Sequence, residues 1–226
     1  YHICDELKVM GFQTTGMAAE YVAVDTTRMI KLPAGMDYDR GAMVEPLAVA
    51  LHALGRGGDV RDKKVLVLGA GPIGNLVAQA AKGMGARLVM VTDLSDYRLD
   101  IARKCRIDHV LNPAHHDLAT AILERFGPDR ADLILECVGI ETTIGQAIAH
   151  ARKGTDIIVV GVFAKKPEVD LGIVQDRELR LIGTLMYQRA DYEKAIELIV
   201  SEKVQLDPLI RSEERRVGKE CRSGWW

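Results

Sequence analysis

Six residues, Gly69-Ala70-Gly71-Pro72-Ile73-Gly74, stand between the apolar run KVLVL and an amphipathic stretch that carries Leu76, Val77, Ala80 and Ala81. Glycines at that spacing suit a backbone that must turn tightly and approach a phosphate. Gly69 permits the turn, Gly71 lets the chain come close to a pyrophosphate, and Gly74 allows a helix to pack closely on a strand. The N-terminus of that helix would add unpaired N–H groups and a positive dipole end. Asp93 closes the next apolar run, 22 residues after Gly71. A carboxylate there can accept from both ribose hydroxyls and repels a 2′-phosphate; it could equally cap a helix starting near Ser95. Arg98 is of the type that holds a 2′-phosphate. With Asp93 in place, the pattern favours NAD over NADP.

A second carboxylate, Glu45, lies in Met43-Val44-Glu45-Pro46-Leu47, an otherwise apolar helical stretch. Burying a lone carboxylate costs several kcal/mol unless a cation or donors meet it. A first-turn Glu favoured by the helix dipole, with Pro46 near the first helical position, explains the same residues. Residue chemistry leaves both readings open.

The elements that must position these groups follow from hydrophobic periodicity. Residues 18–33 read as two short strands, AAEYVAV and RMIKLP, and Arg40 to Leu54 as a helix. From Lys63 onward KVLVLGA, RLVMVTD, HVLN, ADLILECVG, DIIVVGVF and LRLIGTLMY read as six strands alternating with helices. The last helix is expected to start from an Asp191 N-cap. Short apolar strands without clear polar alternation are buried on both faces. The expectation is an α/β fold with a doubly wound, parallel, six-stranded sheet.

Composition agrees and excludes several classes. Of 226 residues 48% are hydrophobic and 27% charged, which is neither a disordered nor a disulfide-dense chain. With 30 basic against 32 acidic residues there is no electrostatic footprint for nucleic acid or an anionic membrane. The four cysteines, Cys4, Cys105, Cys137 and Cys221, form no CxxC pair, as expected of reduced thiols in a cytoplasmic protein. The chain begins at Tyr1, which suggests a piece of a longer protein. Residues 211–226, RSEERRVGKECRSGWW, have no apolar period and are expected to be a non-native or disordered tail.

Taken together, GAMVEPLAVALHAL, KVLVLGAGPIGNLVAQ, VTDLSDYRL and ECVG resemble the zinc-dependent medium-chain dehydrogenases, nearest the sorbitol, butanediol and threonine dehydrogenase branch. The resemblance runs from Tyr1 to about Ile210. It implies a Rossmann NAD-binding domain over 41–206, preceded by a remnant of a GroES-like, β-rich catalytic domain over 1–40. It also implies oxidation of a secondary alcohol or polyol to the ketone with NAD and zinc, in a homodimer or homotetramer. A non-catalytic NAD-binding module is the alternative.

The family's EP motif sets Glu45 beside the catalytic zinc, as a ligand or through the zinc-bound water. Its cofactor contacts fall on Ile73, Asp93, Arg98, Val160, Gly161 and Val162, then on Thr184, Leu185 and Met186. Polyol-type members place a Tyr near the substrate, which matches Tyr187. Met186 departs from the Arg of sorbitol dehydrogenases. Cys4 matches the fourth ligand of the family's four-cysteine structural zinc lobe, and alone it cannot hold the metal. His52, two turns after Glu45, reads as a core or hydrogen-bonded histidine. Cys137 lines the cofactor cleft or merely packs. With Glu45 supplying at most one zinc ligand, the 226-residue chain is expected to bind NAD but to turn over poorly or not at all.

Overall fold

A computed structural model describes residues 2–210; the expected foreign tail, 211–226, lies outside the described residues. The chain from Tyr38 onward alternates helix and strand. Helix α1 (Tyr38–Ala42) is capped by Asp37, whose carboxylate accepts from the Arg40 amide, and it hands over at Met43 to α2 (Val44–Arg56). The expected single helix over Arg40 to Leu54 is therefore two, joined at Met43.

Strands β1 (Lys64–Leu68), β2 (Leu88–Thr92), β3 (His109–Leu111), β4 (Leu133–Glu136), β5 (Asp156–Val159) and β6 (Arg180–Gly183) form one sheet in the order β3-β2-β1-β4-β5-β6. Every pairing is parallel. The order reverses between β1 and β4, and that switch point opens a crevice at the carboxyl ends of the strands.

Burial on both faces explains why the strands read as near-continuous apolar runs. Alternate residues feed two cores: Val65, Val67, Leu133 and Leu135 face α2, α3 (Pro72–Gly83) and α8 (Arg189–Val200). Leu66, Leu68, Ile134 and Ile157 face α5 (Leu118–Phe126) and α6 (Glu141–His150). Helix α4 (Asp96–Lys104) adds Leu99 and Ala102 to the first core. Helix α7 (Leu171–Asp176) bridges β5 to β6, an element the periodicity did not reveal. Its six residues are too few to display a helical repeat.

The two strands expected over residues 18–33 are absent. That stretch contains a three-residue 3-10 turn, Thr26–Arg28, and the one bridge nearby joins Met10 to Thr14. A strand needs a neighbour to satisfy its backbone groups, and among the described residues none pairs with it. Met17, Tyr21 and Met29 remain exposed, whereas Leu32 and Met36 reach the core beside α2. Asp191 is not the N-cap of α8 either. Gln188 takes that position and Asp191 sits three residues on, accepting from the Gln188 amide at 2.7 Å in a capping box. No helix among the described residues is long and apolar enough to cross a membrane.

Candidate functional site

The crevice is built first by the three glycines after β1. Gly69 has φ +104°, in the left-handed region that glycine tolerates, and a Cβ there would lie 2.7 Å from Val138 Cγ2. At Gly74 a Cβ would run into the carbonyl oxygen of Gly69, so only glycine lets α3 start this close to the loop. Gly71 differs from both. It is the N-cap of α3, no side chain caps that helix end, and nothing lies within 4 Å of where its Cβ would be. An uncapped helix N-terminus facing open space is an anion-binding surface. Ile73, in the first turn, packs its side chain against the core.

Asp93 lies just beyond β2, beside this loop. Its Oδ2 accepts from the Ala70 amide at 2.8 Å and its Oδ1 from the Ser95 amide at 2.9 Å. Ser95, not Asp93, caps α4. A carboxylate offers about four acceptor sites, so two backbone donors leave one site on each oxygen, that on Oδ2 shared with Arg98. Arg98 Nη1 stands 3.5 Å from Asp93 Oδ2 on the exposed side.

Across the switch point, β4 and β5 end side by side. Val160 and Gly161 both donate their amides to the Glu136 carbonyl at 2.9 Å. Val162 is 73% exposed, and Val138 and Ile140 are exposed beside it. Thr184 follows β6, with its amide directed to the Val159 carbonyl at 3.3 Å and its buried hydroxyl lacking a partner. Leu185 is exposed, and Met186 has φ +54°. A non-glycine residue in that region carries strain of about 1–3 kcal/mol, of the kind that clusters at ligand sites. All the expected cofactor-side residues thus lie along one edge of the sheet.

Glu45 is exposed in the first turn of α2, so the buried-carboxylate reading fails. It is a hydrogen-bond partner of Tyr187. Tyr187 packs edge-on against Tyr192, with ring centroids 4.8 Å apart. Burial first, then the hydrogen bonds to Tyr192 and Glu45, push the Tyr187 phenol far above its ordinary range. Tyr187 is therefore a proton donor in hydrogen bonds.

His52 is buried and directs Nδ1 to Asp191 Oδ2 at 2.9 Å, as expected of a hydrogen-bonded histidine. Cys137 is partly covered and close to Gly74: a Cβ on that glycine would come within 3.4 Å of Cys137 Cβ. Burial raises its thiol pKa, which keeps the sulfur protonated.

Cys4 is exposed, and among the described residues no three His, Cys, Asp or Glu side chains converge on a point where a metal could sit. The described residues do not by themselves form a zinc site.

One residue at the crevice escaped the sequence reading altogether. Glu136 ends β4 with no exposed surface, and its Oε1 accepts from the amides of Val138 and Gly139 and from the Thr143 hydroxyl. The signal was available: a charged residue closing the otherwise apolar strand Leu133-Ile134-Leu135. A concavity of about 690 Å³ near His109, Asp117 and Arg125, between β3 and α5, shares no residue with the crevice.

Comparison with known proteins points one way. Residues 72–201 match a family model described as zinc-binding dehydrogenase. A 2-dehydro-3-deoxy-L-galactonate 5-dehydrogenase from Pseudoalteromonas atlantica is 38% identical over 93% of the chain. Sorbitol dehydrogenase 1 from Saccharomyces cerevisiae is 31% identical, also over 93%. The chain spans 61% of the length of each. A protein from Sinorhizobium meliloti, solved bound to NADP, superposes with a TM-score of 0.83 at 28% identity, covering 91% of this chain and 61% of that one.

Proposed function

The chain belongs to the zinc-binding dehydrogenase family, and on that premise we propose that it holds NAD across the carboxyl ends of its strands in an enzyme oxidising a secondary alcohol or polyol to the ketone. The observation that carries this reading is the pairing of an open, uncapped helix end at Gly71 with the Asp93 carboxylate, which is bonded to the same loop at Ala70. Gly69, Gly71 and Gly74 receive the pyrophosphate, and Asp93 accepts the adenosine ribose hydroxyls. Val160, Gly161, Val162, Thr184, Leu185 and Met186 line the nicotinamide half. Bound NAD supplies the hydride acceptor. The Sinorhizobium protein carries NADP; here Asp93, fixed by two amides, sets its charge where a 2′-phosphate would lie, and that favours NAD. Arg98 is already engaged with the same carboxylate.

Glu45 and Tyr187 take the substrate side. Tyr187 keeps its proton and donates it to Glu45, which aims the ring, so the phenol oxygen orients a substrate hydroxyl by accepting from it. Catalytic zinc needs about three protein ligands, and this chain's described residues do not provide them, so no step is assigned to the metal. The polyol class rests on the likeness to sorbitol dehydrogenase. We assign 41–206 to the NAD-binding domain and 1–40 to part of a catalytic domain. Association as a homodimer or homotetramer through the free edge of β6, and a cytoplasmic location, complete the reading.

A non-catalytic nucleotide-binding module is the second reading, and the lack of a converging ligand set among the described residues favours it for the chain alone. The two part in an assay of polyol-dependent NAD reduction, run on the 226-residue chain and on a protein of the relatives' length carrying it. Activity is expected in the longer protein and little or none in the chain. Inactivity of both toward every secondary alcohol and polyol tried contradicts the dehydrogenase reading.

A further inference from the structure

Glu136 ties together the two strand ends beneath the nicotinamide half of the crevice. Its backbone carbonyl accepts from Val160 and Gly161 at 2.9 Å. Its side-chain Oε1 accepts from Val138 N at 2.9 Å, Gly139 N at 2.8 Å and Thr143 Oγ1 at 2.7 Å. Glycine is required on both sides of this junction. A Cβ on Gly139 would lie 2.5 Å from the Val162 carbonyl oxygen, and one on Gly161 would lie 2.6 Å from Glu136 Oε2. Val138, the first residue held by the carboxylate, in turn packs its side chain over Gly69 of the phosphate loop. One buried carboxylate therefore fixes the height of the loop after β4 against both the loop after β5 and the turn after β1.

The carboxylate is used asymmetrically. Oε1 takes all three side-chain hydrogen bonds, whereas Oε2, equally buried, has no partner. A group that served by its charge would be expected to share donors between both oxygens or to face a cation. This one offers a single, triply used acceptor.

We propose that Glu136 is a positioning residue for the nicotinamide half of the dinucleotide, acting through one acceptor oxygen that sets Val138 and Gly139 against Val160–Val162. The inference rests on the reading that the crevice takes NAD. In a sheet of this order the adenosine half lies over β2, near Asp93, and the other mononucleotide over β4 and β5. Loss of Glu136 should then fall chiefly on the nicotinamide half, because Asp93 holds the adenosine half independently of it. A merely structural residue would affect both halves alike.

The test uses the 226-residue chain, with NADH and AMP titrated separately below the melting temperature of each variant. For Glu136→Ala the expected result is NADH binding weaker by about tenfold, with AMP affinity within about twofold of wild type. Glu136→Gln keeps an acceptor at Oε1 and should rescue NADH binding to within about threefold. Thr143→Val removes one donor while leaving the carboxylate, so it decides the matter if the alanine variant does not fold; NADH should weaken by about threefold with AMP unchanged. Equal losses of NADH and AMP, or none, would overturn the role of Glu136. Failure of the wild-type chain to bind NADH would instead remove the cofactor reading on which it rests.

Discussion

Single side chains at this site do their work through where their hydrogen bonds already go. Asp93 was legible in the sequence as a carboxylate standing beside the glycine turn because its type and distance from Gly71 follow from the geometry of a strand-turn-helix unit. Its anchoring to Ala70 was not, since no spacing rule says which amide a carboxylate will choose. Glu45 was left between two readings by its apolar neighbours, and the first turn of α2 leaves it exposed beside Tyr187. Titration is decided at this scale too. Burial, reinforced by Arg130, holds the His150 imidazole below the ordinary value of 6.5, and burial with Arg125 does the same for His109. The unfolded chain thus takes up protons more readily than the folded one between the lowered values and 6.5. Their contribution to stability is complete above about pH 6.5 and is lost as pH falls through the folded-state values. Thermal melts between pH 7 and pH 5 should show the midpoint falling, and His150→Gln should flatten the profile. An unchanged slope in that variant would show that His150 is not among the groups responsible.

At the level of elements, the strands after Lys63 were legible because burial on both faces leaves an unmistakable apolar run, and helices α3, α5 and α8 because their stripes repeat. Residues 18–33 misled for the converse reason. An extended, apolar-rich sequence predicts a strand only if a neighbour is available to pair with it, and composition carries no record of the neighbour. The docking of α2 on α8 was half legible, with His52 expected to be hydrogen-bonded and its partner unknown. That partner, Asp191, joins His52 Nδ1 to the amide that starts α8. His52→Ala and Asp191→Ala should each destabilise the chain by about 1–2 kcal/mol. The double variant should fall short of their sum by at least about 0.5 kcal/mol, measured by urea unfolding. Strict additivity would mean that the two helices are held by their apolar contacts alone.

For the whole molecule, the order β3-β2-β1-β4-β5-β6 is what converts scattered residues into a site. It brings the turn after β1, the carboxylate after β2 and the exposed valines after β4 and β5 to one edge, although they span Gly69 to Val162 in sequence. Alternating strands and helices predicted the parallel sheet, and the glycine motif located its switch point. What no local pattern could supply is the convergence of side chains from distant elements, which is why Glu136 stayed hidden.

The central claim is that this edge is built for NAD, with Asp93 selecting against a 2′-phosphate. Calorimetric titration of the 226-residue chain with NADH and with NADPH tests it directly. NADH is expected to bind at least about tenfold more tightly, the difference shrinking or reversing in Asp93→Ser. Tighter binding of NADPH by the wild-type chain would contradict the account.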